Sequence, residues 1–314
     1  MIHAYSYDNK HKLTKRSAIK PGMWLNVLDP TSEEITQLQT KTNVPLDYIY
    51  YSLDRDESAR TEYDEDYKTT LVIFDVPQIK RQKNRSFTYR TTPVGILIKE
   101  DYLITISITR KPFLDSFSDN RRALDIENPR KGCLQIISHI ISNYQRYLKD
   151  MNKIREQVET KLQNSLQNEQ LYNLMGVQRG LVYFLLSLRT DSNVLETLRR
   201  AQTFPLNEDD DDFLEDILIE NHQAVEMAQI SNKIINETTD TYSSIINNNM
   251  NQVMKFLTTY SIILTIPTLV FSFYGMNVDL PLSKSHASWI ITIIISVGIS
   301  IAIAIRFWQK KYFK

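Results

Sequence analysis

One cysteine, Cys133, is all the thiol chemistry in this chain of 314 residues. It excludes an intramolecular disulfide and a thiolate metal cluster within one chain. Net charge is missing as well. The 37 Lys and Arg balance 37 Asp and Glu, so the total gives no argument for nucleic acid as a partner. Catalytic signatures are missing too. There is no Gly-x-x-x-x-Gly-Lys-[Ser/Thr] loop for a nucleotide, no nucleophile elbow and no zinc-protease motif. The five histidines show no close metal-ligand spacing. An enzyme is therefore the least supported class. Met1-Ile2-His3-Ala4-Tyr5 lacks the apolar core of a signal peptide, which places the charged part of the chain in the cytosol. Glycine is scarce, and none occurs between Phe213 and Gly275.

What is present divides unevenly. Up to about Lys255 the chain is rich in charge; the last sixty or so residues carry two long apolar runs. Residues 1–117 read as a mixed α/β domain. Gly22 to Leu28 alternates as a strand does, and Asp29-Pro30 stops it. Thr31 with Glu34 three residues on predicts a capping box and a short helix. Thr69 to Val76 and Val94 to Ile108 are rich in Val, Ile, Leu and Thr. The second predicts a hairpin turning at Lys99-Glu100-Asp101. Residues 118–204 are helical in pattern: Leu134, Ile137, Ile141 and Tyr144 fall at three- and four-residue steps, as do Met151, Ile154, Val158 and Leu162. Gly176 and Gly180 are too isolated to break that pattern. Two or three long helices are expected there.

From about Phe213 to Tyr274 the absence of glycine predicts one helix, a stalk over 205–255 that continues into the membrane. At roughly 1.5 Å per residue it would approach about 90 Å. Phe256 to Tyr274 carries no ionised side chain, nor does Ser288 to Ile305. Each run is close to the roughly 20 residues that cross about 30 Å of hydrocarbon. This gives a first span over 256–274, a loop over 275–287, a second span over 288–308 and a basic tail over 309–314. Lys255 precedes the first span, and Arg306, Lys310, Lys311 and Lys314 follow the second. Positive charge thus clusters on the side holding both termini, which places them in the cytosol and the loop, with Asp279 and Lys284, outside a cell membrane.

The first span has a polar stripe. In alternating fours and threes, Asp240, Ser244, Asn247, Asn251, Met254, Thr258, Ser261, Thr265, Thr268 and Ser272 fall in register, and all but Met254 are polar. Ser and Thr are common in membrane helices and can bond back to their own backbone, so any one of them carries little weight. The aligned series carries more. Polar groups in a membrane need partners, so the stripe should face a neighbouring helix or water. Two spans cannot enclose water alone, which implies a ring of several chains around a central pore.

Tyr274-Gly275-Met276-Asn277 closes the first span. In that place, with a long helix before it and a basic tail after, the chain resembles the CorA family of divalent-cation channels. Asn251-x-Val253-Met254-Lys255-x-Leu257-Thr258 and Pro267 within the span resemble the family as well. The resemblance implies a homopentamer in the lipid bilayer with a funnel-shaped cytosolic part. It implies ion selection at Gly275, Met276 and Asn277, and a pore lined by Asp240, Asn247, Asn251, Met254, Leu257 or Thr258, Thr265 and Thr268. It also implies Mg2+ as transported and regulatory ion, with Co2+ or Ni2+ as further cargo, and no organic cofactor. The family's loop often has Met-Pro-Glu after the asparagine. Here the chain reads Asp279-Leu280-Pro281-Leu282, so attraction at the outer mouth would rest on Asp279.

A hydrated Mg2+ could be selected by amide oxygens of an Asn277 ring that bond its waters, and Met254 with Leu257 could gate by excluding water. The acids at the start of the long helix, Asp212, Asp216 and Glu220 among them, suit a helix N-terminus electrostatically. By the resemblance, Asp216 falls on a position that binds regulatory Mg2+ between subunits; Asp75 is the candidate N-terminal partner. Two alternatives stand beside the channel: a zinc exporter of the same superfamily, and a membrane-anchored sensor or scaffold without transport.

Overall fold

A computed structural model describes residues 1–81, 87–164, 168–278 and 287–310. Asp279, Lys284, Lys311 and Lys314 lie outside the described residues. The chain forms two compact units, Met1–Asn236 and Glu237–Lys314.

The first unit is built on a seven-stranded sheet in the order β2-β1-β3-β7-β6-β5-β4. Its strands are β1 (Ile2–Tyr7), β2 (Leu13–Arg16), β3 (Met23–Leu28), β4 (Arg60–Asp64), β5 (Thr69–Arg81), β6 (Phe87–Lys99) and β7 (Tyr102–Ser107). β3 and β7 pair in parallel and the other neighbours are antiparallel. The predicted hairpin is present as β6 and β7, with Lys99 opposite Tyr102. β6 begins earlier than its aliphatic run, because Phe87 to Thr92 continue the ladder against β5.

Alternation along the strands divides two cores. Leu25, Val27, Leu71, Ile73, Leu97, Ile104 and Ile106 pack with Ile35 and Leu38 of α1 (Ser32–Thr42) and with Tyr48 and Ile49 of α2 (Leu46–Tyr51). The capping box that starts α1 is present: Thr31 Oγ1 accepts from the Glu34 N–H, and Glu34 Oε2 accepts from the Thr31 N–H. Asn43, in the left-handed region at φ 49°, ends the helix. The opposite face carries the short α3 (Asp115–Ser118) and two long helices, α4 (Pro129–Asn164) and α5 (Asn168–Arg200). Trp24 is fully buried, stands edge-on to Phe117, and its indole N–H donates to Thr105 Oγ1 at 3.1 Å. Phe184 of α5 meets Tyr89 of β6 and Tyr144 of α4 edge-on.

α6 runs Glu208–Tyr274 as one helix with Pro267 inside it, starting five residues before the predicted Phe213. Asn207 caps it, its Oδ1 accepting from the Asp210 N–H at 2.7 Å. In the second unit α7 (Ser288–Gln309) is the other apolar helix, and these two are the described helices long and apolar enough to cross a membrane.

Candidate functional site

Within the apolar runs of the second unit the buried positions form two narrow stripes. On α6 they are Thr259 and Val270, flanked by half-buried Ile263, Ile266, Pro267 and Tyr274. On α7 they are Thr292 and Ser296, flanked by half-buried Ser288, Ile291, Ser300, Ile303, Ala304 and Phe307. Small residues at four-residue spacing let helix backbones approach closely where water gives no driving force. α7 therefore lies along one face of α6, with Thr292 and Ser296 as its fully covered positions.

The predicted polar stripe lies elsewhere on α6. Asp240, Ser244, Asn247, Asn251, Met254, Leu257, Thr258, Ser261, Thr265, Thr268 and Ser272 are all exposed in the single chain. Several hydroxyls are satisfied within the helix: Thr265 Oγ1 donates to the Ser261 carbonyl at 2.8 Å, Thr268 to Leu264 at 3.4 Å and Ser244 to Asp240 at 3.0 Å. Those hydroxyls keep acceptor lone pairs free while their protons are used. Asn247 and Asn251 continue the helix without a break, although Asn is a poor helix former. Large apolar side chains, among them Phe256, Leu264, Phe271 and Phe273, are also exposed on other sides of α6.

Tyr274 is the last helical residue. The Gly275 N–H donates to the Phe271 carbonyl at 2.9 Å and the Met276 N–H to Phe273 at 3.4 Å, which closes the final turn. A Cβ at Gly275 would sit 3.2 Å from the Phe271 carbonyl oxygen, a tight fit against the helix end. Met276 and Asn277 follow, both exposed. Beside Gly275, a cleft of about 430 Å³ is lined by Phe271 and Tyr274 of α6 and by Ser288, Trp289, Thr292 and Ile293 of α7.

The acidic run at the start of α6 sorts by environment. Asp210 is buried; it accepts from Asn128 Nδ2 at 3.2 Å and lies 3.7 Å from Lys131 Nζ. Arg199 spans Asp211 at 3.6 Å and Glu215 at 2.9 Å. Asp212 and Asp216 are exposed one turn apart, and Glu220 follows one turn on, half-buried. Asp75, by contrast, faces inward, with its carboxylate beside Ser187 and Lys111. Among the described residues no group of three His, Cys, Asp or Glu side chains is placed to hold a metal ion.

Sequence reasoning passed over one buried polar residue. Asp191 of α5 is fully buried and accepts the Asp75 N–H at 3.1 Å. The signal was available: Leu181, Phe184, Leu188, Asp191 and Leu195 fall at alternating three- and four-residue steps, which puts an acid on the apolar stripe of its helix.

Comparison with known proteins agrees with this architecture. Residues 21–311 match the family described as CorA-like Mg2+ transporter protein. The cobalt/magnesium transport protein CorA of Methanocaldococcus jannaschii is 27% identical over 293 residues, 90% of this chain and 89% of that one. The magnesium transport protein CorA of Haemophilus ducreyi is 24% identical over 304 residues, covering 89% of each. The complete structure of the M. jannaschii CorA magnesium transporter superposes with a TM-score of 0.85 at 24% identity over 98% of both chains. The chain belongs to the CorA-like Mg2+ transporter family, membrane transporters of divalent cations rather than enzymes.

Proposed function

We propose that the chain is a potential-driven, gated influx channel for hydrated Mg2+, with Co2+ or Ni2+ as further cargo, assembled as a homopentamer in the cell membrane with both termini in the cytosol. The observation that carries this reading is the placement of the polar stripe. α7 covers a face of α6 that holds none of the stripe residues, and so leaves all of them for neighbouring copies and water. In such a ring Asn251, Thr258, Ser261, Thr265, Thr268 and Ser272 would line the conduit. Asp240 and Asn247 would extend it below, and Met254 with Leu257 would form the apolar constriction that closes by dewetting. Asn277, exposed just past the helix end, would ring the entrance. Its amide oxygen would accept from waters that Mg2+ holds tightly, selecting the hydrated ion without stripping it.

No nucleotide site is needed to drive entry. A divalent ion gains about 4.6 kcal/mol per 100 mV, twice the per-charge value. A gradient that steep calls for closure from within. The exposed acids Asp212 and Asp216, with Glu220, are the residues proposed to bind regulatory Mg2+ between subunits. Asp75 is the member of the predicted set that faces its own helix α5 instead of the surface.

The test is flux in proteoliposomes carrying an internal Mg2+ indicator, with an imposed inside-negative potential. Uptake should rise with potential, and Asn277→Ala should reduce it at least about tenfold. Equal uptake by the variant removes Asn277 from the entrance. Zn2+ movement without Mg2+ uptake replaces the reading with zinc export, and rings that pass no ion favour a sensor or scaffold.

A further inference from the structure

The inner ends of α6 and α7 gather charge of one sign. α7 returns antiparallel along α6 from the cleft that Gly275 and Ser288 both line. Lys255 lies twenty residues before Gly275, about 30 Å along the axis, and Arg306 lies eighteen after Ser288, about 27 Å. The two side chains therefore start within about one turn of the same depth, and Lys310 follows one turn below. Orientation brings them together as well. Lys255 is one turn before Thr259, which is buried on the face that α7 covers, and sits about 70° from the centre of that face. Arg306 sits about 60°, and Lys310 about 20°, from the centre of the α7 face that meets α6. Because the helices run antiparallel, these offsets point to the same flank of the pair. All three side chains are exposed.

No carboxylate answers these charges. Among the described residues none of the three enters an ion pair. The described acids of the second unit are Glu237 and Asp240, and Asp240 lies about 22 Å down α6 from Lys255. A neighbouring copy related by rotation about the membrane normal brings the same helix ends to that depth, so its α6 and α7 supply no carboxylate either. The C-terminus of α7 accounts for basic residues in its own last turn, Arg306 among them. It does not account for Lys255, which lies in the interior of α6. An anionic inner leaflet rewards cations anywhere on that side and does not ask that they share one flank. Trp308, 72% exposed, and the stacked Phe256 and Tyr260 mark the same depth as an interface, where amphipathic rings settle.

We propose that Lys255, Arg306 and Lys310 form a binding site for one anionic phospholipid of the inner leaflet. Its phosphodiester is held in the groove between the two helices, and its acyl chains lie along their exposed apolar sides. Arg306 takes phosphate oxygens with its paired N–H groups, and the two ammonium groups add point charges on their flexible stems. The headgroup thereby bridges α6 to α7 at the end opposite the Gly275 cleft. The site rests on α6 and α7 spanning a bilayer as proposed above, and not on which ion passes.

The test is lipid titration of the full chain in detergent, read by native mass spectrometry, with phosphatidylglycerol, phosphatidylcholine and inorganic phosphate as separate probes. Phosphatidylglycerol should bind saturably at one per chain and be preferred to phosphatidylcholine by about tenfold or more. Lys255→Gln and Arg306→Gln should each weaken it about fivefold, as loss of one cation near the headgroups does. Lys255→Arg and Arg306→Lys should keep most of it. Binding that never saturates, or that survives in the Lys255→Gln, Arg306→Gln double variant, overturns the proposal, because the attraction is then diffuse. Displacement of the lipid by inorganic phosphate overturns it too, since a free anion is then the ligand. Topology is read separately on intact cells, where Asn277→Cys should react with an impermeant thiol reagent added outside. Reaction from the inner side alone overturns the spanning reading and the site with it. Reaction from outside without saturable lipid overturns the site alone.

Discussion

Asn128 Nδ2 donates to Asp210 Oδ2 at 3.2 Å, and this contact separates one acid of the run Glu208 to Asp212 from its neighbours. Asp210 points into the first unit, against the start of α4. Asp212, two residues on, points to solvent. The same residue type therefore does two jobs on one helix turn. Asp210→Ala leaves the Asn128 amide without its acceptor and should cost about 1–3 kcal/mol of stability, as buried hydrogen-bond deletions do. Asp212→Asn and Asp216→Asn should leave the melting temperature within about a degree. If the proposed regulatory site is right, they should also shift the cytosolic Mg2+ concentration that halves the current.

Gly180 gives a prediction whose sign opposes helix propensity. In an exposed helix, Gly→Ala gains up to about 1 kcal/mol. Here the added Cβ would lie 2.6 Å from Tyr89 Cβ and 2.8 Å from Met151 Cε. The methionine tip can move; the tyrosine Cβ sits on the backbone of β6 and cannot move far. Gly180→Ala should therefore destabilise by about 1–3 kcal/mol, the usual cost of overpacking a dense core. Thermal unfolding of the full chain is sufficient to read it. A stabilised variant would mean that α5 can move away from β6 to admit the methyl group.

These two residues also show where the sequence is legible. Long segments announce themselves. The period of α4, the glycine-free length of α6, the uncharged run of α7 and the aliphatic hairpin β6–β7 were all readable, because each carries many positions of one signal. The edge strands were not. β2 is Leu13-Thr14-Lys15-Arg16 and β4 is Arg60-Thr61-Glu62-Tyr63-Asp64, short and polar, and both exist because a neighbour offers an unpaired edge. Nor does sequence separate Asp210 from Asp212, since orientation around a helix matters only once α4 is in place. The stripe on α6 was legible as a pattern. That α7 covers a different face is visible only with both helices in view.

His139 sits where burial works against its charge. Phe113 and Phe117 stand edge-on to its ring at 5.7 and 5.5 Å, and Ser116 Oγ lies 3.2 Å from Nε2. Desolvation first, then Arg122 and Arg146, lowers its pKa from 6.5 to about 4. The unfolded chain takes up a proton near 6.5 and the folded chain only near 4, so unfolding binds protons in that window. Stability should fall as pH drops from about 6.5 toward 4 and be insensitive to this residue above it. His139→Gln removes the titration, so its melting temperature should decline less than the parent's over the same interval. Parallel curves for the two proteins would show that the ring titrates normally.

The conduit itself can be mapped with a thiol reagent, and the chain is suited to it without further change. Its single cysteine, Cys133, is fully buried, and burial pushes the thiol's pKa well up, so it holds little reactive thiolate. Cysteines placed one at a time along α6 then report their own surroundings. Ser261, Thr265 and Thr268 belong to the polar stripe, whereas Leu264 and Phe271 are also exposed in the single chain, apolar, and turned away from it. In the assembled protein in a bilayer, Ser261→Cys, Thr265→Cys and Thr268→Cys should react with a charged, membrane-impermeant methanethiosulfonate. Leu264→Cys and Phe271→Cys should react at least about tenfold more slowly, because thiolate does not form in hydrocarbon. Modification at the stripe positions should also block Mg2+ uptake. The opposite ranking would turn the Ser and Thr side chains toward lipid, a position the hydroxyls of Thr265 and Thr268 could hold because each already donates to its own helix. Equal reactivity on both faces would place water all round α6, which no closed ring of spans allows.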